Sequence, residues 1–275
     1  MSIKDVLVAL SAREETDKGR DFALSMAAQF GAQVTGVVYA LEHLAPFSLY
    51  PEFTSDLMQR QRNEAKKAAE LARTKFLEAA GKAGVPHEFH STTVSAQAAT
   101  SDFAHRLRTA DIAVLTQHQS DNVEKVGDLF AEAALFHSGR PMVIVPRDHA
   151  GDFSLTRIVI AWDGGIHAAR AVAAAMPLLR RATEIEVLTI REESKASDLR
   201  GSQLVKHLRL HDLIAELYVL DGTEIAEAII GEAKMVRASL LVMGGYGHSR
   251  LREFVFGGAT RRILSEIPVP VLMAH

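Results

Sequence analysis

Cysteine is absent from this sequence, which excludes disulfides, thiolate metal ligands and thiol nucleophiles. Excess charge of either sign is missing too: 31 Lys and Arg against 34 Asp and Glu leave a formal net charge of -3. With no local basic patch to set against that balance, a nucleic-acid partner is not expected. No uninterrupted apolar stretch approaches membrane-spanning length, and Met1 to Asp5 leads straight into a strand-like run without a basic and then apolar leader. The expectation is a soluble, cytoplasmic protein with no membrane partner. The common phosphate loops are also lacking: no GxxxxGK precedes Ser or Thr, and Gly245, Tyr246, Gly247 has no third glycine of a dinucleotide fingerprint. Gly247, His248, Ser249, Arg250, Leu251 lacks the second glycine of a GxSxG nucleophile elbow. The 12 histidines are scattered and His87 and His90 do not form HExxH. No metal is therefore expected, except Mg²⁺ arriving with a nucleotide.

What is present is a repeat of strands and helices. Val6 to Leu10 is a continuous apolar run, as a strand covered on both faces requires. A helix closed by Gly31 follows, then a strand at Gln33 to Leu41, an apolar connection from His43 to Phe53, and a long amphipathic helix from Thr54 to Gly84. A strand at His87 to Thr93, a helix at Ala96 to Thr109, a strand at Asp111 to Leu115, a helix at Gly127 to His137 and a strand at Pro141 to Val145 complete the first half. Pro146 to Gly151 is a polar joint, and Ile158 to Asp163 restarts the same order of elements. Alternation of this kind predicts an α/β fold of two doubly wound, five-stranded parallel-sheet domains, 1–148 and 154–275, in tandem.

The second half closes on its most informative stretch. The buried-strand run Leu240 to Met243 opens into Gly244, Gly245, Tyr246 and Gly247; after nine intervening residues Gly257, Gly258, Ala259 and Thr260 precede a helical pattern reaching Ile267. Strand, glycine loop and helix suit a phosphate cradle, because glycine lets backbone approach a ligand and a helix start offers free N–H groups with positive dipole character. The same glycines also suit a plain turn and helix start. Open parallel sheets bind ligands beyond the carboxyl ends of their strands, and Asp163, at the end of the second half's first strand, projects to the same edge. A carboxylate there can equally cap the following helix.

The spacing Gly244xxGly247, nine residues, then Gly257, with the ending Ile267, Pro268, Val269, Pro270, Val271, Leu272, resembles the C-terminal ATP-binding signature of the universal stress protein family. The resemblance covers nearly the whole chain as a tandem form. It implies ATP, with Mg²⁺, as cofactor. It also implies that Asp163 contacts the nucleoside, that Ile190 lies beside the adenine, and that Gly244, Gly247, Gly257, Gly258, Ala259 and Thr260 line the phosphates. His248, Ser249 and Arg250 fall within the same loop and carry groups suited to phosphate. Gly258 stands where the family pattern usually has Ser or Thr, and a hydroxyl returns at Thr260.

The first half departs from that pattern. Ser11 stands at the place of Asp163, Asp128 and Leu129 align with Gly257 and Gly258, and Thr116 to Gln119 holds no glycine. An acidic side chain at a helix start repels a triphosphate, so this half is expected to be a degenerate copy that pairs with the second within the chain, as two subunits of a dimeric relative would. The function implied is a nucleotide-dependent stress-response module, with at most weak ATP hydrolysis because no general base is evident. Its partners are an adenine nucleotide and, in a homodimer or other homo-oligomer, further copies of itself. The alternative is a nucleotide-independent interaction or chaperone-like protein working through the apolar His43 to Phe53 segment.

Overall fold

A computed structural model describes residues 2–11, 17–41, 51–117, 126–191, 196–221, 224–245, 264 and 266–275. The first half runs β1 (Asp5–Ala9), α1 (Lys18–Phe30), β2 (Gln33–Leu41), α2 (Pro51–Ala83), β3 (His87–Val94), α3 (Ala96–Leu107), β4 (Ile112–Thr116), α4 (Val126–His137) and β5 (Met142–Val145). The second runs β6 (Arg157–Ala161), α5 (Ile166–Leu179), β7 (Glu184–Arg191), α6 (Ala196–Arg209), β8 (Glu216–Asp221), α7 (Ile225–Met235), β9 (Leu240–Gly244) and β10 (Val271–Ala274). Of the apolar connection expected from His43 to Phe53, Pro51 to Phe53 are instead the first turn of α2; proline fits a first helical position, where its missing N–H would have had no partner. The rest of that segment lies outside the described residues.

Local chemistry sets several boundaries. Asp17 caps α1 by accepting from the Arg20 N–H, and Gly31 ends the helix in the left-handed conformation at φ 60°. Ser95 caps α3 by accepting from the Ala98 N–H. In α2, Ala69, Ala72, Phe76 and Ala80 are buried at the spacing of three and four that puts them on one helical stripe.

The strands form a single 10-stranded sheet in the order β3-β2-β1-β4-β5-β10-β9-β6-β7-β8. Within each half every pairing is parallel, and strand order reverses beside β1 in the first half and beside β6 in the second. The sequence leads to the expectation that the halves pair but does not reveal by which strands they join. They do so through antiparallel pairing of β5 with β10, Ile144 opposite Val271, Val143 opposite Leu272 and Met142 opposite Met273. The C-terminal strand ends of the two halves therefore lie on opposite edges of the sheet. Two apolar layers flank it. One holds Phe22, Phe76, Val143, Leu178, Leu208 and Leu272 under α1, α2, α5 and α6; the other holds Phe103, Leu135, Ile144, Ile229 and Met273 under α3, α4 and α7. Each layer crosses the seam without interruption, because facing residues of β5 and β10 point to the same side.

One buried feature departs from this apolar plan. Glu186 on β7 and Glu232 on α7 are 7% and 3% exposed, and Oε1 of each is buried without a hydrogen-bond partner. Burial, then the Glu232 charge, pushes the Glu186 carboxyl up to about 7, with Glu216 adding to the rise and Arg157 opposing it. A carboxyl that holds its proton more tightly in the folded state stabilises the fold least when ionised. Its contribution is complete below the unfolded value of 4.5 and is lost as pH rises to about 7. Glu186→Gln should gain about 2–3 kcal/mol on the wild type between pH 5 and pH 8, read from urea unfolding at the two pH values. An unchanged difference between the two proteins would remove this account.

Candidate functional site

Strand order reverses beside β6, and open parallel sheets place their ligand crevice at such a point, here the C-terminal ends of β6, β7 and β9. Its floor is the short turn from β6 into α5. Gly165 is the N-cap of α5 in extended conformation, with no side-chain cap. The Asp163 carboxylate turns back on the loop, accepting the Gly165 N–H at 2.7 Å. Gly164 takes φ +77°, a conformation that favours glycine, and a Cβ on it would fall 2.6 Å from Cδ of Arg200. Trp162 packs against the α5 and α6 layer, and its indole Nε1 donates to the Arg200 carbonyl at 3.1 Å. That bond ties α6 to the loop.

Gly244 ends β9 beside this turn. A Cβ built on it would lie 2.5 Å from the Ala168 nitrogen and 2.7 Å from the His167 carbonyl carbon. Its bare backbone thus allows the first turn of α5 to approach the strand end, and the turn-serving and cradle-forming uses left open by the sequence coincide at this residue. Gly245 serves packing between the halves: a Cβ there would meet Leu135 of α4 at 2.6 Å. Beyond it His167 stacks on His275 with ring centroids 4.0 Å apart, and Phe136 meets His275 edge-on at 4.7 Å. Burial, with help from the charges of His167 and Arg170, lowers the His275 pKa.

Of the site residues expected from the sequence, Asp163, Ile190 and Gly244 stand at the ends of the neighbouring strands β6, β7 and β9. Asp163 and Ile190 are both half-buried. Gly247, His248, Ser249, Arg250, Gly257, Gly258, Ala259 and Thr260 lie outside the described residues. Sequence reasoning missed Trp162 and Arg200, which reach the turn from a packing layer and from another helix. Among the described residues no group of three or more His, Asp or Glu side chains could hold a metal, and no helix is long and apolar enough to cross a membrane.

At the corresponding place in the first half, between β1 and β4, a carboxylate is buried. Asp17, only 5% exposed, places its carboxylate at the start of α1, accepting from the Ser11 N–H at 2.8 Å, the Arg20 N–H at 3.0 Å and the Thr116 hydroxyl at 3.2 Å. Burial raises its pKa, and the N–H donors of Arg20 and Ser11 oppose the rise. The Thr116 hydroxyl also accepts from the Gly19 N–H at 3.0 Å. Asp128 lies in the first turn of α4. Asp17 could have been marked from the sequence as a carboxylate just before a periodic apolar run, which is a capping signal.

Residues 154–275 match the universal stress protein family. Among solved structures, a universal stress protein from Archaeoglobus fulgidus DSM 4304 is similar at 16% identity over 98% of this chain and 97% of its own, with a TM-score of 0.70. A functionally unknown protein from Pseudomonas aeruginosa PAO1 is similar at 14% identity over 99% of this chain and 92% of its own, with a TM-score of 0.62. At these identities the likeness is one of fold. No curated protein matches the sequence.

The close approach of helix to strand makes a test of the crevice architecture. Gly244→Ala places a methyl against α5 backbone, and Gly19→Ala places one 2.6 Å from the Thr116 hydroxyl oxygen. Each should cost about 1–3 kcal/mol in urea unfolding. Gly81→Ala in α2, where nothing lies within 4 Å of the added carbon, should instead stabilise by up to about 1 kcal/mol.

Proposed function

We propose, for a chain whose residues 154–275 belong to the universal stress protein family, that the second half binds ATP, with Mg²⁺ carried in on the nucleotide, and that occupancy regulates a cytoplasmic stress-response module. The observation that carries this reading is a contrast between the two crevices. At α1 the Asp17 carboxylate takes the first-turn N–H of Arg20, whereas at α5 the Asp163 carboxylate takes only the N–H of the N-cap Gly165 and the first turn, which abuts Gly244, has no side-chain cap. A helix start without a capping oxygen keeps N–H groups and positive dipole character for an anion from outside.

In this reading the first-turn N–H groups of α5 and the backbone at Gly244 face the phosphates. Asp163, anchored by the Gly165 N–H, accepts from ribose hydroxyls, and Ile190 offers an apolar edge to the base. The family pattern adds Gly247, His248, Ser249, Arg250, Gly257, Gly258, Ala259 and Thr260 as the phosphate loop. The antiparallel pairing of β5 with β10 supports treating 1–148 and 154–275 as two domains that pair within the chain. A second ATP is not accommodated, since it would have to displace Asp17 from its three donors.

Calorimetry with Mg-ATP tests the reading. The wild type should bind one ATP per chain, Gly247→Val should bind none, and Asp163→Ala should bind about tenfold more weakly, a loss of about 1.4 kcal/mol. Ser11→Asp should leave the stoichiometry at one. Absence of heat with the wild type sinks the nucleotide reading and favours an interaction protein that works without nucleotide; two sites per chain would show that the first half is not blocked.

A further inference from the structure

Arg200, on the first turns of α6, is placed unlike an ordinary surface arginine. Its Cβ, Cγ and Cδ lie 3.5, 3.3 and 2.6 Å from the point where Gly164 would carry a side chain, so the aliphatic stem lies across the turn between β6 and α5. The main chain beneath adapts to it: Gly164 adopts a left-handed φ of +77°. The Trp162 indole holds the Arg200 carbonyl at 3.1 Å, which fixes the start of the side chain as well. Yet the charged end of this residue has no hydrogen-bond or ion-pair partner among the described residues, and the residue is exposed. A long side chain whose stem lies across the turn and whose cation is unmatched among the described residues is suited to an external anion.

We infer that Arg200 is a phosphate-binding residue of the second-half crevice, its guanidinium reaching over the β6 to α5 turn to the polyphosphate of a nucleotide held at the start of α5. The inference rests on the nucleotide reading above and adds to it a contact from outside the glycine loop. Only the charged end of Arg200 takes part. The stem packs on Gly164, so its scaffolding contact is separate from the charged end that binds. The contact also gives the crevice a preference for the charged over the uncharged part of the ligand: a nucleoside without phosphate gains nothing from Arg200.

The chain carries its own reporter, because Trp162, bonded to the Arg200 carbonyl, is its sole tryptophan. Titrations followed by indole fluorescence and by calorimetry should compare Mg-ATP with adenosine on wild type, Arg200→Met and Arg200→Lys. Methionine keeps most of the stem and removes the charge. Arg200→Met should weaken Mg-ATP about tenfold and leave adenosine binding unchanged, Arg200→Lys should recover much of the loss, and the salt dependence of ATP binding should be shallower in Arg200→Met. Equal ATP affinity in wild type and Arg200→Met overturns the inference while leaving the nucleotide reading intact. A parallel loss of adenosine binding also overturns it, since the residue would then be only scaffolding. A wild type that binds neither ligand removes the nucleotide reading and the inference together.

Discussion

The hydrogen-bonded seam between β5 and β10 is the contact on which the arrangement of this molecule depends. Both strands are four residues long and fully buried. Pairing edge to edge removes the outer strand that each five-stranded block would otherwise present to solvent, and it lets one apolar layer on each face run the width of the sheet. Because the pairing is antiparallel, it also rotates one half against the other. The two places where strand order reverses end up on opposite edges, so a ligand in one crevice has no direct contact with the other.

Each crevice needs a helix start pressed against a strand end, and the halves meet that need with the glycine on opposite partners. In the first half the helix supplies Gly19 and the strand supplies Thr116, whose hydroxyl then links the helix N–H to Asp17. In the second half the strand supplies Gly244 and the helix supplies Ala168. The distances that a Cβ would violate are nearly the same, 2.6 and 2.5 Å, but the consequences differ. A hydroxyl on the strand side builds an internal network that accommodates a buried carboxylate, whereas a glycine on the strand side sets no side chain of the strand against the helix start.

Much of the fold was legible because strands buried on both faces read as unbroken apolar runs, as in Val6 to Val8 and Leu240 to Met243, and because caps such as Gly31 act locally. The seam was not legible: Met142 to Val145 and Val271 to Ala274 are equally apolar whichever neighbour they pair with, and partner choice is a tertiary property. Glu186 alternates with Ile185 and Val187 and so reads as the solvent side of a strand, yet α7 covers it. In the crevice, Asp163 and Gly244 were visible because loop residues follow their own strands directly. Arg200 was not, since its placement depends on α6 lying beside a turn more than thirty residues earlier.

Joining the halves in one polypeptide has a consequence for symmetry. Two identical subunits meeting across such a seam would receive every substitution twice, so a carboxylate that closes one crevice would close both. Within a continuous chain, Asp17 can cap one helix start while Gly165 stands at the same place in the other, and the two sides are free to diverge.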